Sequence, residues 1–226
     1  MSSKVPAGNP HHPDELAQLP HGRHGLPPEF VEHNQRERLI ASFTSLAGEV
    51  GYGGATITAI HEGAGVASRT FYKYFETVED VCIAAFEKAV EDLRPFLAEA
   101  YLGESEWPLQ VRAALAALLA DFAEYPAVAR LLTVEPFVAG PEVARRHRAV
   151  IEEMTPYLRE GRTQRQGGEA LPDTAERGIL GALNSMVGRQ VTAGRAEELE
   201  GLLPDLAQFV LTPYLGAAEA RRVALG

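Results

Sequence analysis

The chain has 226 residues, 46% of them hydrophobic, with 31 acidic against 21 basic side chains and a formal net charge of −10. That length allows one or two domains, and the apolar content is enough for a sizeable core. The single cysteine, Cys82, excludes an intrachain disulfide and a multi-cysteine zinc site; no stretch approaches the roughly 18 uninterrupted apolar residues of a membrane span, and the N-terminus has no apolar signal-peptide core, so a soluble, cytoplasmic protein is expected.

Residues 1–28 are rich in Pro, Gly and His and show no helical period. They read as a disordered N-terminal arm. The arm's histidines His11, His12, His21 and His24 have no carboxylate–histidine spacing that fixes a metal geometry. A polar tail is the simpler reading, and no metal or cofactor is expected. At the end of the arm, Arg23 and His24 stand on a lead that can reach an adjacent minor groove.

From residue 30 to 50, apolar residues fall at Leu39/Ile40, Phe43, Leu46/Ala47 and Val50, a helical stripe. Gly51 supplies a left-handed stop. Thr56 is the N-cap of a helix over 57–64, which buries Ile57, Ile60 and Ala64; Ala59 rules out a reciprocal capping box. Gly65-Val66 makes a turn, with Val66 packed inside. The next helix starts at Ala67 or Ser68, and serine is the better cap of the two. Thr77 caps a long helix through Val81, Phe86 and Leu93, bent at Pro95. Further helices are expected over 108–124, 126–137, 141–161, 172–193 and 197–215, with Pro204 and Pro213 as disturbances. Residues 163–170 read as a polar loop. No segment alternates like a strand, so the fold class is all-α.

Two short helices broken by Gly65 have the layout of a helix-turn-helix, whose second helix enters a DNA major groove. In that second helix Phe71 and Phe75, four apart, face the core; Arg69, Thr70, Lys73 and Tyr74 project to the other side, with Tyr72 at the flank. Tyr72 and Lys73 can donate to phosphates, and Arg69 can read a guanine edge bidentately. An ordinary amphipathic hairpin in a core has the same pattern. The charge is unusual for a DNA binder: residues 29–80 hold four Lys/Arg against eight Asp/Glu. So few cations imply a modest salt dependence per subunit and favour a dimer, which doubles the contacts.

The run from Ala64 to Phe75, Ala-Gly-Val-Ala-Ser-Arg-Thr-Phe-Tyr-Lys-Tyr-Phe, followed by an acidic helix start and a long helix, resembles the TetR family of transcriptional regulators. Gly51-Tyr52 and the entry at Thr56–Ile60 fit the same pattern, and the match is specific over residues 36–86. The leader Leu-Pro-His-Gly-Arg-His-Gly-Leu over 19–26 resembles a subset of the family with an extended N-terminal arm. The resemblance implies a helix-turn-helix domain over 29–78 and a helical ligand-binding and dimerisation domain over 79–226. It implies that Ser68, Arg69, Thr70, Tyr72, Lys73 and Tyr74 contact DNA, with Thr56 near a phosphate. Three positions depart from the usual pattern: His61 where a small alanine is common, Ala67 for the usual capping serine, and Val78 where a lysine commonly meets a phosphate.

In the body, small residues at Gly178, Gly181/Ala182, Ser185 and Gly188 form a smooth stripe that lets another helix approach closely. Packing against a neighbour within the chain explains such a stripe as well. The resemblance implies instead that the last two long helices form a dimeric four-helix bundle, with Gly181, Leu183, Ser185, Val187, Phe209 and Val210 among its contacts. An implied pocket for a small apolar effector draws on Trp107, Phe122, Tyr125, Phe137 and Met154 for its wall. Gln110, His147 and Asn184 are its polar anchors; each is equally at home as an ordinary core or surface residue. Cys82 reads as a small apolar packing residue. The function expected is a homodimeric regulator, typically a repressor, that leaves a double-stranded DNA operator when a small molecule binds. The alternatives are an interaction protein that keeps the fold without operator binding, and an all-helical enzyme. No nucleophile–base set or phosphate-cradling loop supports the enzyme.

Overall fold

A computed structural model describes residues 27–164 and 170–226. Arg23 and the rest of the expected arm up to residue 26 lie outside the described residues. Among those described there are ten α-helices and no strand, as the all-α reading expects. The first four are α1 (Pro28–Val50), α2 (Ile57–Gly63), α3 (Ser68–Tyr74) and α4 (Val78–Leu102). The body follows with α5 (Trp107–Glu124), α6 (Pro126–Thr133), α7 (Pro141–Arg159), α8 (Ala175–Thr192), α9 (Leu203–Leu215) and α10 (Ala217–Leu225).

Local chemistry sets most of the boundaries. Pro28 opens α1, and Gly51 ends it at φ +73°, its N–H donating to the Ala47 carbonyl. A side chain at that φ is strained, which leaves glycine as the fitting residue. The start of α4 is a full capping box: Thr77 Oγ1 accepts from the Asp80 amide at 3.2 Å, and Asp80 Oδ2 accepts from the Thr77 amide at 2.8 Å. Each bond satisfies an amide that the first turn would otherwise leave without a partner. The helix runs on through Pro95.

Three boundaries differ from the periodic reading. The helix expected over 126–137 stops at Thr133 and continues as a 3-10 turn, Glu135–Phe137, because Pro136 disfavours helical geometry at the residue before it. The helix expected from Pro172 begins at Ala175. The last expected helix divides into a 3-10 segment, Ala196–Leu202, and α9, so Pro204 sits in a first turn, where proline is at home, and disturbs nothing. Beyond Gly216, at φ +81°, lies α10, which the helical period does not predict; its Ala220 and Ala224 are buried.

One large apolar cluster runs from Leu39, Phe43, Ile60 and Phe71 through Val81, Cys82 and Phe86 of α4 to Leu119, Leu131 and Leu199. It is continuous across residue 78, the expected domain boundary, so the three-helix head is rooted in the body through α4. A second cluster at the far end gathers Trp107, Leu158, Ile179, Val210, Leu211 and Tyr214.

A candidate DNA-reading head and its joint to the body

Thr56 caps α2 as expected, its Oγ1 accepting from the Ala59 amide at 3.2 Å. Ser42 of α1 donates to the Ile60 carbonyl at 2.9 Å and fixes α2 on α1. Gly65 turns the chain at φ +61°, and Val66 is half-buried against the core. Ala67 takes the cap position of α3 with no side-chain acceptor, so Ser68 is the first helical residue and does not cap. Phe71 and Phe75 are buried, with ring centroids 5.8 Å apart. Burying two such rings contributes roughly 2–3 kcal/mol each, which locks the roll of α3 about its axis. His61 is half-buried, and its Nδ1 is enclosed without a hydrogen-bond partner.

With the phenylalanines turned in, Ser68, Arg69, Tyr72 and Lys73 are exposed, as is Thr56. Arg69 pairs with no carboxylate among the described residues. Two expected contacts are placed differently. Tyr74 leans onto α1, half-buried, its hydroxyl 3.3 Å from Gln35 Oε1, so it is part of the scaffold rather than of the outward face. Thr70 is also only partly exposed. Lys73 is outward, yet its Nζ lies 2.6 Å from Glu32 Oε1 on α1 and over the Tyr74 ring. The hydrogen bond to Glu32 raises its pKa, so it stays fully charged. Sequence spacing gave no sign of this ion pair, because its partners are 41 residues apart.

A second feature went unseen in the sequence. Glu135, with no exposed surface, accepts from Arg130 Nε at 2.6 Å and from the Tyr52 amide at 3.1 Å. It thereby bolts the α6–α7 turn to the α1–α2 turn. Next to this bolt α1 and α6 nearly touch: a Cβ added at Gly48 would lie 2.6 Å from that of Ala127. The joint between head and body is thus a close backbone approach plus one buried carboxylate. Such a carboxylate is tolerated when its charge is paired and its lone pairs are hydrogen-bonded.

The structure brings three of the expected effector-binding residues together and scatters the rest. Phe137, His147 and Asn184 come together: the His147 and Phe137 ring centroids are 5.2 Å apart, and His147 Nε2 is 3.3 Å from Asn184 Oδ1. Asn184 Nδ2 donates to the Thr133 carbonyl at 3.2 Å. Burial pushes the His147 pKa down. Beside this group lies a surface hollow of about 460 Å³. Trp107 is instead in the far cluster, donating through Nε1 to the Tyr157 carbonyl at 2.7 Å and packing edge-on against Tyr214. Gln110 reaches the Glu104 carbonyl. Phe122 belongs to the main core, Tyr125 bonds Glu124 at the surface, and Met154 is half-buried on α7. Cys82 is fully buried, and burial first, then Glu135 and Glu79, pushes its thiol up to about 12, consistent with apolar packing.

Of the expected dimer contacts, Val187 and Val210 face inward and are buried in their own subunit, and Gly188 is buried against Thr133. The stripe of small residues is exposed at Gly178, Gly181 and Ser185; Met186 and Phe209 are exposed as well, and Leu183 is half-buried. No described helix is long and apolar enough to cross a membrane.

Comparison with known proteins agrees with this geometry. The family model described as bacterial regulatory proteins, tetR family, matches residues 39–85, which hold the last part of α1, α2, α3 and the start of α4. No curated protein matches the sequence. Among solved structures, the fatty acid degradation regulator FadR from Bacillus halodurans superposes with a TM-score of 0.67 at 22% identity, covering 77% of this chain and 97% of that one. FadR from Bacillus subtilis, in complex with stearoyl-CoA, gives 0.66 at 20% identity, covering 80% and 98%. RolR without ligand gives 0.61 at 24% identity, covering 84% and 96%. At such identities these structures share the fold, while the family match is confined to the head. Residues 39–85 thus carry the helix-turn-helix of bacterial regulatory proteins of the tetR family, and the all-helical body shares its fold with solved transcriptional regulators.

Proposed function

We propose that the protein is a homodimeric repressor that reads an operator with α3 and leaves it when a small apolar effector binds the body. The observation that carries this reading is the roll of α3: with Phe71 and Phe75 buried, Ser68, Arg69, Tyr72 and Lys73 form one outward face. Arg69 suits a guanine edge, while Ser68, Tyr72 and Lys73 suit phosphates, with Thr56 at the adjacent helix start. Two copies are needed to occupy two half-sites roughly one helical turn apart. The exposed faces of α8 and α9, Gly178, Gly181, Ser185, Met186 and Phe209, suit a close helix–helix contact between subunits.

The effector acts through differential affinity for two arrangements of the joint; a coupling of roughly 1–3 kcal/mol is typical. Glu135 offers the route. It precedes Phe137 of the hollow by two residues and holds the Tyr52 amide at the entrance to the helix-turn-helix. A ligand that shifts this turn therefore shifts the head. The test is to select DNA fragments retained by the purified protein and to repeat gel-shift binding with a Lys73→Ala, Tyr72→Phe variant. Loss of retention with an unchanged helical spectrum supports the reading; undiminished retention refutes the assignment.

A further inference from the structure

The hollow beside His147 carries information on the class of molecule it takes. Three arginines cluster near the start of α7, and two of them are neutralised. Arg145 donates to Glu142 at 2.9 and 2.5 Å; Arg146 donates to Glu87 at 2.6 Å and also to Glu142. The third, Arg148, is exposed and has no carboxylate partner among the described residues. It lines the hollow together with Ala144 and His147 of α7 and with Pro136, Phe137 and Val138 of the preceding turn.

The other polar group in the hollow adds no charge of its own. Asn184 Nδ2 is committed to the Thr133 carbonyl, so Asn184 Oδ1 is an acceptor and His147 Nε2 carries the hydrogen. A half-buried imidazole between the rings of Phe86 and Phe137 is favoured in its neutral form. What remains is one unpaired guanidinium next to an apolar wall. That wall is itself conspicuous: Phe137 and Val138, adjacent in sequence, are 66% and 62% exposed. Two neighbouring large apolar side chains held in water leave burial free energy ungained, at roughly 25 cal/mol per Å².

We propose that this hollow binds a small amphipathic anion, with its carboxylate forked by Arg148 and its aromatic or short aliphatic body laid against Phe137 and Val138. A guanidinium pairs a carboxylate in plane through two parallel N–H donors, and the apolar body gains the exposed wall. The inference deepens the reading of this hollow as the effector site and rests on it for its regulatory meaning; the binding itself is measured without DNA.

Calorimetric titration of the full chain with phenylacetate and octanoate, each against its neutral amide, is the test. The expected result is saturable binding of at least one carboxylate at one per chain, with the matching amide at least tenfold weaker. Arg148→Gln removes that preference while leaving amide binding unchanged, and Phe137→Ser weakens carboxylate and amide alike. The proposal is overturned by carboxylate and amide binding equally, by an Arg148→Gln variant that keeps the preference, or by failure of both acids to bind. It is also overturned if Phe137→Ser dissociates the dimer in sedimentation, which makes the wall a subunit contact. Thermal melts of both variants guard against unfolding. A carboxylate that binds as described but leaves operator retention unchanged upholds the site and defeats the effector reading; release by another compound with neither acid binding does the reverse.

Discussion

The head and the body are built from the same kind of helix, yet they answer to different rules. In the head, the residues that set the roll of α3 and the starts and turns of its helices lie within one or two turns of each other: Phe71 and Phe75 hold α3 by one edge, Thr56 starts α2 and Gly65 makes the turn. In the body, the groups that matter meet across long stretches of chain: His147 with Asn184, Arg130–Glu135 with Tyr52. A local motif is fixed by helical period and cap chemistry. A joint or a hollow is fixed by tertiary packing, which period alone does not encode.

The sharpest way to break this comparison is to truncate a ring in each region. Phe71→Ala leaves a cavity in a fully buried site and is expected to cost about 3–5 kcal/mol. Phe137→Ala removes a mostly exposed ring and is expected to change stability by about 0.5 kcal/mol or less. Urea unfolding of the two variants measures both. Comparable losses would put Phe137 in a core and the hollow in doubt.

The joint comes next. Glu135→Ala strips Arg130 and the Tyr52 amide of their buried acceptor, an expected cost of about 2 kcal/mol. Glu135→Gln, which keeps an acceptor, is expected to cost less. Hydrogen exchange at the Tyr52 amide checks the location: faster exchange with alanine than with glutamine supports the bolt, and identical rates remove it.

A subtler effect is expected at the outward face. On the proposed reading Lys73 meets a phosphate, and Glu32 already pairs with it, so Glu32→Gln is predicted to tighten DNA binding at low salt. It should also steepen the dependence of log K on log salt by up to about 0.9 per subunit, the increment for one added phosphate contact. Weaker binding by this variant would mean that Glu32 holds Lys73 in its reading position.

The smallest expected effect is a pH dependence. Burial lowers the His147 pKa, so the unfolded chain takes up a proton at a higher pH than the native one does. Stability from this group is therefore complete above the ordinary histidine range, near pH 6.5, and is lost as pH falls through it. His147→Gln lacks that component. Urea midpoints from pH 7.5 to 5 are expected to converge between wild type and variant on the acid side; parallel curves would place the imidazole in solvent.

These contrasts also explain what was legible in the sequence. The buried face of α3, the Thr56 and Thr77 caps and the Gly51 stop all follow from spacing of four residues or fewer, and all appear where spacing puts them. The same spacing puts Tyr74 outward, but the Gln35 contact, 39 residues away, draws it onto α1. On α8 the period identified a stripe of small residues. It did not tell which neighbour takes each side, and Val187 turns into its own subunit. The nine-residue α10 is not legible in the sequence because its main signals are a glycine before it and two alanines, Ala220 and Ala224, which only packing on the far and main clusters makes meaningful.

The central claim is that the outward face of α3 reads bases, twice per assembly. Methylation interference on a selected DNA fragment, with wild type and Arg69→Ala side by side, tests it most directly. The account predicts two symmetry-related guanines roughly one helical turn apart whose N7 methylation blocks the wild type and loses its effect with Arg69→Ala. Interference confined to one half of the fragment, or the same guanines with and without the Arg69 side chain, would contradict it.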